Sequence, residues 1–254
     1  MNTVWIGDVN LSEGRLKICV PLTAVSQDDL SLCAKAAALE PASQILEWRA
    51  DWYADLKKKD GIRNGLNQIR ACGRRIPVLF TIRTKEEGGE ISLDDTVYTA
   101  LIQEAIEAGA DAVDVELSKG SVVLNAVLTA AHRHGIPVIA SSHNFQKTPE
   151  TEKMMEILCS MKNAGADVCK LAVMPNSRAD VLSLLTVSCQ FHEKYPETPL
   201  ITMSMGKTGV ISRVCGEFCG SVLTFGTVGR ASAPGQLAAE ELGEILNVLH
   251  RSQK

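Results

Sequence analysis

Short apolar runs alternate with amphipathic segments along almost the whole chain. Short, mostly continuous apolar runs are typical of parallel β-strands that are covered on both faces. On this basis the predicted strands are Leu16–Val20, Ile45–Arg49, Pro77–Arg83, Ala112–Leu117, Pro137–His143, Asp167–Met174, Pro199–Met205 and Val222–Val228. The amphipathic segments predict helices over Asp28–Glu40, Asp94–Ala108, Ser121–His134, Glu150–Ala164, Ser177–Tyr195 and Gly235–His250, with weaker signals around Arg63–Ala71 and Thr208–Phe218.

The repeating order of one strand followed by one helix predicts a (β/α)8 TIM barrel. Successive predicted strands begin roughly 30 residues apart, which is the size of a βα unit, and eight such units fit the 254 residues of the chain. Internal sequence similarity supports the repeat, because the same tripeptide lies at the start of two predicted strands, as Gly109-Ala110-Asp111 and Gly165-Ala166-Asp167. The competing open, doubly wound sheet would normally carry a glycine-rich fingerprint after its first strand, where this chain has no G-x-G-x-x-G. We therefore expect residues 1–254 to form one α/β barrel domain.

The N-terminal segment is expected to close the bottom of this barrel. Val4–Asp8 and Arg15–Cys19 flank a turn-like sequence, Asn10-Leu11-Ser12-Glu13-Gly14. We expect the two flanking segments to form a short β-hairpin that plugs the barrel at the end opposite its functional groups.

Composition narrows the class of protein. Hydrophobic residues make up 45% of the chain, which is ample for a core, and the net charge of −4 comes with no basic patch of the size that binds nucleic acid. No apolar stretch reaches membrane-spanning length and the first residues lack a signal-peptide pattern, so a cytoplasmic location is expected. Most of the eight cysteines are expected to be reduced core residues. Cys215 and Cys219 are spaced i, i+4, but no second Cys or His pair supports zinc, and no metal is expected.

Charged side chains occur at alternate positions near the ends of several predicted strands, where a barrel carries its functional groups. Asp114 and Glu116 could form a metal pair, but no histidine accompanies them at ligand spacing. We expect these carboxylates to pair inside the barrel with Arg49, Arg83 or Lys170. The three arginines near the barrel mouth are Arg49, Arg83 and Arg213. They favour an anionic substrate, because a guanidinium group binds a carboxylate through two hydrogen bonds.

Lys170 is the most informative residue, because it stands alone in the apolar run Asp167–Met174. Burial of an unpaired ammonium costs several kcal/mol. A lysine placed there tends to lose its proton and become the amine nucleophile of Schiff-base chemistry. The alternative is a lysine whose head reaches water or a carboxylate. His143 ends the preceding predicted strand, where an imidazole can move a proton near neutral pH, and Glu87 is the candidate that orients its ring.

The loop after the last predicted strand, Gly226–Gln236, is small and rich in glycine. It is predicted to be a mobile lid that carries two polar tips, Ser232 and Gln236. A plain βα loop and a phosphate-binding loop are the alternatives. Pro234 and the bulky Arg230 make a tight nest of backbone amides less favourable.

Several motifs at these strand ends occur together in one known family. They are Glu47-Trp48-Arg49-Ala50-Asp51, Arg83-Thr84-Lys85-Glu86-Glu87-Gly88-Gly89, Asp114-Val115-Glu116 followed by Ser141-Ser142-His143-Asn144, Lys170-Leu171-Ala172-Val173-Met174-Pro175, and Ser232-Ala233-Pro234-Gly235-Gln236. The first four match, in this order, the family patterns E-W-R-x-D, R-x-x-x-E-G-G, D-x-E with S-x-H-[DN], and K-x-A-x-M-P. The fifth also matches the family. Through these motifs the chain resembles type I 3-dehydroquinate dehydratases over essentially its whole length. Ser142 departs from the family, which often carries a larger residue there.

The resemblance implies a hydro-lyase that converts 3-dehydroquinate to 3-dehydroshikimate and water in the shikimate pathway of aromatic amino acid biosynthesis. Lys170 would form an imine with the C3 ketone, His143 would remove the C2 proton and help the C1 hydroxyl leave by syn elimination, and Glu87 would hold the imidazole. The implied substrate-binding residues are Glu47, Arg49, Arg83, Arg213, Ser232, Gln236, Met203, Met205 and Phe225, with Arg213 on the substrate carboxylate. No metal or other cofactor is implied, and the family suggests a homodimer.

Two other functions fit the same barrel. A class I aldolase also uses a lysine on the sixth strand, but such enzymes usually act on phosphorylated or short acyclic substrates, and the arginine-rich mouth argues against one. A non-catalytic barrel that binds an anionic metabolite would not need the lysine, the histidine and the glutamate together.

Overall fold

The fold, in a computed structural model that describes residues 3–229 and 232–253, is a set of parallel strands surrounded by helices. The strands are β1 (Trp5–Ile6), β2 (Val9–Asn10), β3 (Lys17–Leu22), β4 (Ile45–Arg49), β5 (Val78–Thr81), β6 (Ala112–Glu116), β7 (Val138–Asn144), β8 (Val168–Val173), β9 (Leu200–Ser204), β10 (Leu223–Thr227) and β11 (Leu237–Ala238). The helices are α1 (Gln27–Leu39), α2 (Gly61–Arg70), α3 (Asp95–Glu107), α4 (Gly120–Arg133), α5 (Thr151–Asn163), α6 (Arg178–Lys194), α7 (Val210–Val214) and α8 (Ala239–Ser252). All the predicted strands and helices are present, and α7 is shorter than the pattern around Thr208–Phe218 predicted.

The strands follow one another around the sheet in sequence order. Neighbouring strands run β10-β3-β4-β5-β6-β7-β8-β9, and the short β11 is added beside β10. At the two ends of this order, β9 meets the segment just before β10 through a bridge between Leu200 and Ser221. The Val222 N–H also donates to the Leu200 carbonyl oxygen at 2.8 Å. This order is that of the predicted α/β barrel, whereas an open doubly wound sheet reverses its strand order at a switch point.

Alternate residues of the barrel strands enter two different cores. In β8, Cys169 and Leu171 pack between the strands and the surrounding helices, whereas Val168 and Ala172 belong to a second apolar cluster inside the barrel. Side chains alternate between the two faces of a strand. Lys170 therefore points into the barrel interior, and the polar residues at matching positions of the other strands do the same.

The N-terminal segment forms a hairpin, but the predicted pairing of its strands was wrong. β1 pairs with β2 in antiparallel register around a two-residue turn at Gly7 and Asp8. Gly7 has a φ of 58°, which such a tight turn needs and which glycine adopts without strain. The segment Arg15–Cys19, predicted as the second hairpin strand, instead leads into β3, where Lys17 is in register with Leu223 of β10.

The predicted plug at the bottom of the barrel is present. Val4, Ile6 and Leu11 of the hairpin pack with the apolar cluster inside the barrel. A Cβ added to Gly7 would lie 2.8 Å from Cβ of Pro77, the residue just before β5. The hairpin therefore covers the amino ends of the strands, and the carboxyl ends are left to form the site.

Disulfides, membrane spans and metal clusters are absent from the part of the chain that the structure describes. All eight cysteines lie within that part and are free thiols. None of the described helices has the length and apolarity of a membrane span. The described residues also contain no group of three or more His, Cys, Asp or Glu side chains suited to hold a metal ion.

Candidate active site

A cavity with an empty volume of about 490 Å³ opens at the carboxyl ends of the barrel strands. Its wall is formed by Glu47, Arg49, Arg83, Glu87, Gly88, His143, Phe145, Lys170, Ala172, Met203, Met205, Arg213, Phe225, Ser232, Ala233 and Gln236. All twelve residues predicted for the site are in this wall. The barrel therefore gathers, around one space, side chains that are spread over most of the sequence.

Lys170 is buried, at 3% exposure, but it is not the unpaired ammonium that its apolar run predicted. Its Nζ donates to Asp114 Oδ2 at 3.0 Å and to Glu47 Oε1 at 3.4 Å. The same nitrogen lies 4.7 Å from the centre of the Phe225 ring. Of the two alternatives, the structure shows the lysine whose head reaches a carboxylate, and Asp114 is one of the carboxylates expected to pair inside the barrel. Both partners come from other strands, so the pattern of residues along β8 alone contains no sign of them.

Asp114 and Glu116 are satisfied by cations inside the barrel, as predicted. The Arg83 guanidinium donates to Asp114 Oδ1 at 2.8 Å, to Glu116 Oε1 at 2.9 Å and to Ser141 Oγ at 3.0 Å. Burial alone would raise the pKa of Asp114, but Arg83 and Lys170 outweigh burial and hold that pKa below its usual range. The two carboxylates therefore serve as counter-charges for Arg83 and Lys170.

The Arg49 side chain pairs with a carboxylate that lies just beyond the end of the same strand. Its Nε and Nη2 donate to Asp51 Oδ1 and Oδ2 at 2.8 Å and 2.7 Å, a bidentate pair. Asp51 also accepts the backbone N–H of Arg83 at 3.2 Å and so links the ends of β4 and β5. Two of the three arginines predicted at the mouth, Arg49 and Arg83, are thus paired with carboxylates of the protein itself.

His143 and Glu87 form a hydrogen-bonded pair in the cavity wall. Nδ1 of His143 lies 2.9 Å from Oε2 of Glu87, which also accepts the backbone N–H of His143 at 3.0 Å. Burial raises the pKa of Glu87 to about 7, despite the opposing effect of Arg83. Burial, Arg83 and Lys170 lower the pKa of His143 well below its ordinary value. The imidazole is therefore neutral at pH 7 and able to accept a proton.

Arg213 is a buried cation with no carboxylate partner among the described residues. It is 1% exposed, and its guanidinium contacts are the Pro234 carbonyl oxygen at 3.1 Å and Met203 Sδ at 3.9 Å. Burial lowers the pKa of Arg213 to about 10. A buried charge without a counter-ion is unfavourable, and this guanidinium lines the cavity. The arrangement provides a site for an anion, with the planar geometry that suits a carboxylate.

The chain is similar to known proteins over nearly its whole length. The family model for type I 3-dehydroquinase matches residues 18–253. The chain belongs to the type I 3-dehydroquinase family. A 3-dehydroquinate dehydratase from Klebsiella pneumoniae is 43% identical over 249 residues, which cover 98% of this chain and 99% of that protein.

Solved structures of the same family superpose closely on this one. A type I 3-dehydroquinate dehydratase from Clostridium difficile has a TM-score of 0.93 and 41% identity, and the match covers 99% of each chain. The 3-dehydroquinate dehydratase from Geobacillus kaustophilus has a TM-score of 0.95 and 30% identity over 100% of this chain and 98% of that chain. The agreement confirms the α/β barrel of the type I 3-dehydroquinase family.

The loop after β10 lies against the cavity. The N–H groups of Ser232 and Ala233 donate to Gln236 Oε1 at 2.8 Å and 3.3 Å, and the Pro234 carbonyl oxygen accepts from Arg213. A phosphate-binding loop would present free amides to its ligand, whereas these two are already used within the loop. Ser232 and Gln236 line the cavity as predicted. Arg230, considered in the alternative of a phosphate loop, lies outside the described residues.

Four wall residues were not predicted, namely Gly88, Phe145, Ala172 and Ala233. They carry no ionisable or hydrogen-bonding side-chain group, so no chemical argument selects them from the sequence. Strand periodicity would have identified Ala172, which lies two residues beyond Lys170 on the same face of β8. A Cβ on Gly88 would lie 2.4 Å from the Phe145 ring, which therefore packs directly on the backbone beside Glu87.

Proposed function

We propose that this chain is a 3-dehydroquinate dehydratase, a hydro-lyase that converts 3-dehydroquinate into 3-dehydroshikimate and water through a Schiff base on Lys170. The observation that carries the proposal is one cavity wall with a buried lysine, a neutral histidine paired with a glutamate, and an arginine that has no carboxylate partner among the described residues. The relatives support it, since the Klebsiella pneumoniae protein is named for this activity. The Clostridium difficile structure contains covalently modified comenic acid.

The reaction would begin when the Lys170 ammonium passes a proton to one of its carboxylate partners and the resulting amine attacks the C3 ketone. Asp114 and Glu47 fix the position of Nζ, and the Phe225 ring covers it. The nitrogen forms a bond to the carbonyl carbon, the carbonyl oxygen takes up protons and leaves as water, and a protonated imine remains. That imine is the electron sink for the elimination, so the proposed route needs no metal or other cofactor.

His143 would act as the base of the elimination. The neutral imidazole takes the C2 proton, and the electrons of the C2–H bond move into the imine to give an enamine. The enamine expels the C1 hydroxyl, which receives the proton from the imidazolium and leaves as water. Because one side chain serves both steps, the proton and the hydroxyl leave from the same face. A water molecule from the solvent then hydrolyses the conjugated imine and frees Lys170.

The other wall residues would hold the ring and its substituents. Glu47, Ser232 and Gln236 present polar groups to the cavity, and Met203, Met205 and Phe225 form its apolar part. Arg49 and Arg83 also line the cavity, but their carboxylate partners neutralise them. This difference leaves Arg213 as the proposed ligand of the substrate carboxylate.

Replacing Arg213 with glutamine is expected to weaken substrate binding without destabilising the protein. The charge-assisted hydrogen bonds to a carboxylate would be lost, which corresponds to an increase of about 10- to 100-fold in KM. The unliganded protein would no longer bury an unpaired cation, so its free energy of unfolding should stay the same or rise. Steady-state kinetics and urea denaturation measure the two effects. A variant with unchanged KM would contradict the proposed role of Arg213.

Replacing Gly235 with alanine is expected to disturb the loop that contacts Arg213. A Cβ at Gly235 would lie 2.3 Å from the Gly206 carbonyl oxygen, whereas a Cβ at Gly229 meets nothing within 4 Å. The two glycines have φ values of 77° and 78°, so alanine adds similar backbone strain at both. We expect Gly235→Ala to raise KM about tenfold more than the control Gly229→Ala. Equal KM values would mean that contact with Gly206 is not required.

The experiment that tests the proposed function is an absorbance assay of the purified protein with 3-dehydroquinate. Dehydration creates a ketone conjugated with a carbon–carbon double bond, and the product therefore absorbs ultraviolet light that the substrate does not. A class I aldolase would instead cleave sugar phosphates in a retro-aldol assay. A non-catalytic barrel would bind 3-dehydroquinate and return it unchanged. Either of these last two results would overturn the proposal.

Three further features implied by the family resemblance stay predictions. They are a homodimer, a cytoplasmic location and a place in aromatic amino acid biosynthesis. Sedimentation analysis of the purified protein would test the first. Growth without aromatic amino acids, in cells that lack their own dehydroquinate dehydratase, would test the third.

A further inference from the structure

Glu87 has a second hydrogen-bond partner on the side away from His143. Ser118 lies in the single 3-10 turn Leu117–Lys119 that follows β6, and its Oγ donates to Glu87 Oε1 at 2.6 Å. The other carboxylate oxygen, Oε2, contacts both the backbone N–H and Nδ1 of His143. Ser118 does not line the cavity. Among the described residues Ser118 has no hydrogen bond to His143, so Glu87 links the two side chains.

The protonation state of Glu87 decides which nitrogen of His143 can act as a base. An ionised carboxylate only accepts hydrogen bonds, so the imidazole must place its proton on Nδ1 and leave the lone pair of Nε2 free. A protonated Glu87 can donate its proton to Nδ1, and the imidazole proton then resides on Nε2. In that second state Nε2 cannot remove a proton from a substrate.

The groups around Glu87 leave its two protonation states close in free energy. Burial raises the pKa of Glu87 to about 7, in the range of physiological pH. The charged or polar groups that act on it are Arg83 and Ser118, which lower the pKa, and Glu116 and Asp114, which raise it. The charged groups that affect the pKa of His143 are Arg83, Lys170 and Arg49, which lower it, and Asp114, which raises it. A single hydrogen bond to the ionised form can therefore shift the population near pH 7.

We propose that Ser118 is a positioning residue that favours ionised Glu87 and thereby holds His143 in the tautomer with a free Nε2. The inference rests on the proposed function, because only a reaction that uses His143 as a base needs this tautomer. Ser118 itself is exposed, whereas Glu87 is buried at 5% exposure. In a Ser118→Ala variant, water can therefore enter and replace part of the hydrogen bond.

Threonine and valine at position 118 give a matched pair of variants. Their side chains have nearly the same shape, but only Ser118→Thr keeps the hydroxyl. We expect Ser118→Val to shift the acid limb of the pH–kcat profile to higher pH by about 0.5 to 1 unit, because the pKa of Glu87 rises. This shift lowers kcat at pH 7 about threefold and leaves kcat unchanged at about pH 9. KM should not change, and Ser118→Thr should behave like the original protein.

A second measurement follows the tautomer without substrate. In protein with ¹⁵N-labelled histidine, the His143 resonances, identified by their loss in His143→Gln, report the protonation of Nδ1 and Nε2. We expect the pH midpoint of the tautomer change to rise in Ser118→Val and to be restored in Ser118→Thr. Identical midpoints in the two variants, or a kcat lowered equally at every pH, would overturn the inference. Absence of dehydration in the original protein would overturn the proposed function, while the resonances would still decide the role of Ser118.

Discussion

Replacing Lys170 with alanine is expected to abolish dehydration while the barrel stays folded. The variant lacks the amine that would form the imine, and no other lysine among the described residues lines the cavity. Loss of the covalent route should lower kcat by a factor on the order of 10⁵ or more. Alanine would also leave Glu47 and Asp114 without their shared cation, which we expect to lower the free energy of unfolding by roughly 3 kcal/mol.

Lys170→Arg is the matched control for this effect. Arginine keeps a positive charge between the two carboxylates but provides no nucleophilic amine at neutral pH. We expect it to recover part of the lost stability in urea denaturation and none of the lost activity in the absorbance assay. Turnover in either variant within about tenfold of the original rate would contradict a covalent role for Lys170.

Replacing His143 with alanine is expected to separate imine formation from elimination. Without the imidazole the proposed base is missing, and kcat should fall by about 10²- to 10⁴-fold. Lys170 and its carboxylate partners are unchanged, so borohydride should still trap the substrate on the protein. Mass spectrometry of the reduced protein measures the trapped fraction, and single-turnover absorbance measures the elimination.

His132→Ala provides a control for the loss of a histidine–carboxylate pair. Nε2 of His132 on α4 contacts Oδ2 of Asp167, the residue just before β8, at 2.8 Å. Neither residue lines the cavity, and the His132 side chain is 48% exposed. We expect its loss to leave kcat unchanged. If His143→Ala turned over at the original rate as well, another group would have to be the base.

The alternation of strand and helix patterns predicted the barrel, and side-chain periodicity along the strands predicted the inward direction of its polar residues. Glu47, Asp114 and Lys170 occupy positions in apolar strands where the alternate residues face the helices, so their direction followed from the strand period alone. The hairpin prediction was wrong because Asn10–Gly14 is the longer turn-like stretch and favours a turn there over the shorter one before it. The dipeptide Gly7-Asp8 is itself a signal for a two-residue turn, and the structure uses it.

The partners of the site residues were less predictable than their positions. Lys170 is 123 residues away from Glu47 in sequence, and only the closed order of strands brings Nζ to that carboxylate. Ser118 and Glu87 lie in separate turns after different strands, and contacts between such turns depend on loop geometry that no periodicity specifies. The same limit explains why three arginines were predicted alike, although in the described part of the chain Arg49 and Arg83 have carboxylate partners and Arg213 has none.

Borohydride trapping tests the central claim most directly. The protein is incubated with 3-dehydroquinate, reduced, digested and analysed by peptide mass spectrometry, with Lys170→Arg treated in parallel. We predict one substrate-derived adduct, located on Lys170 and absent from the Lys170→Arg protein. Dehydration that proceeds without any adduct, or with an adduct on a different lysine, would contradict a Schiff base on Lys170.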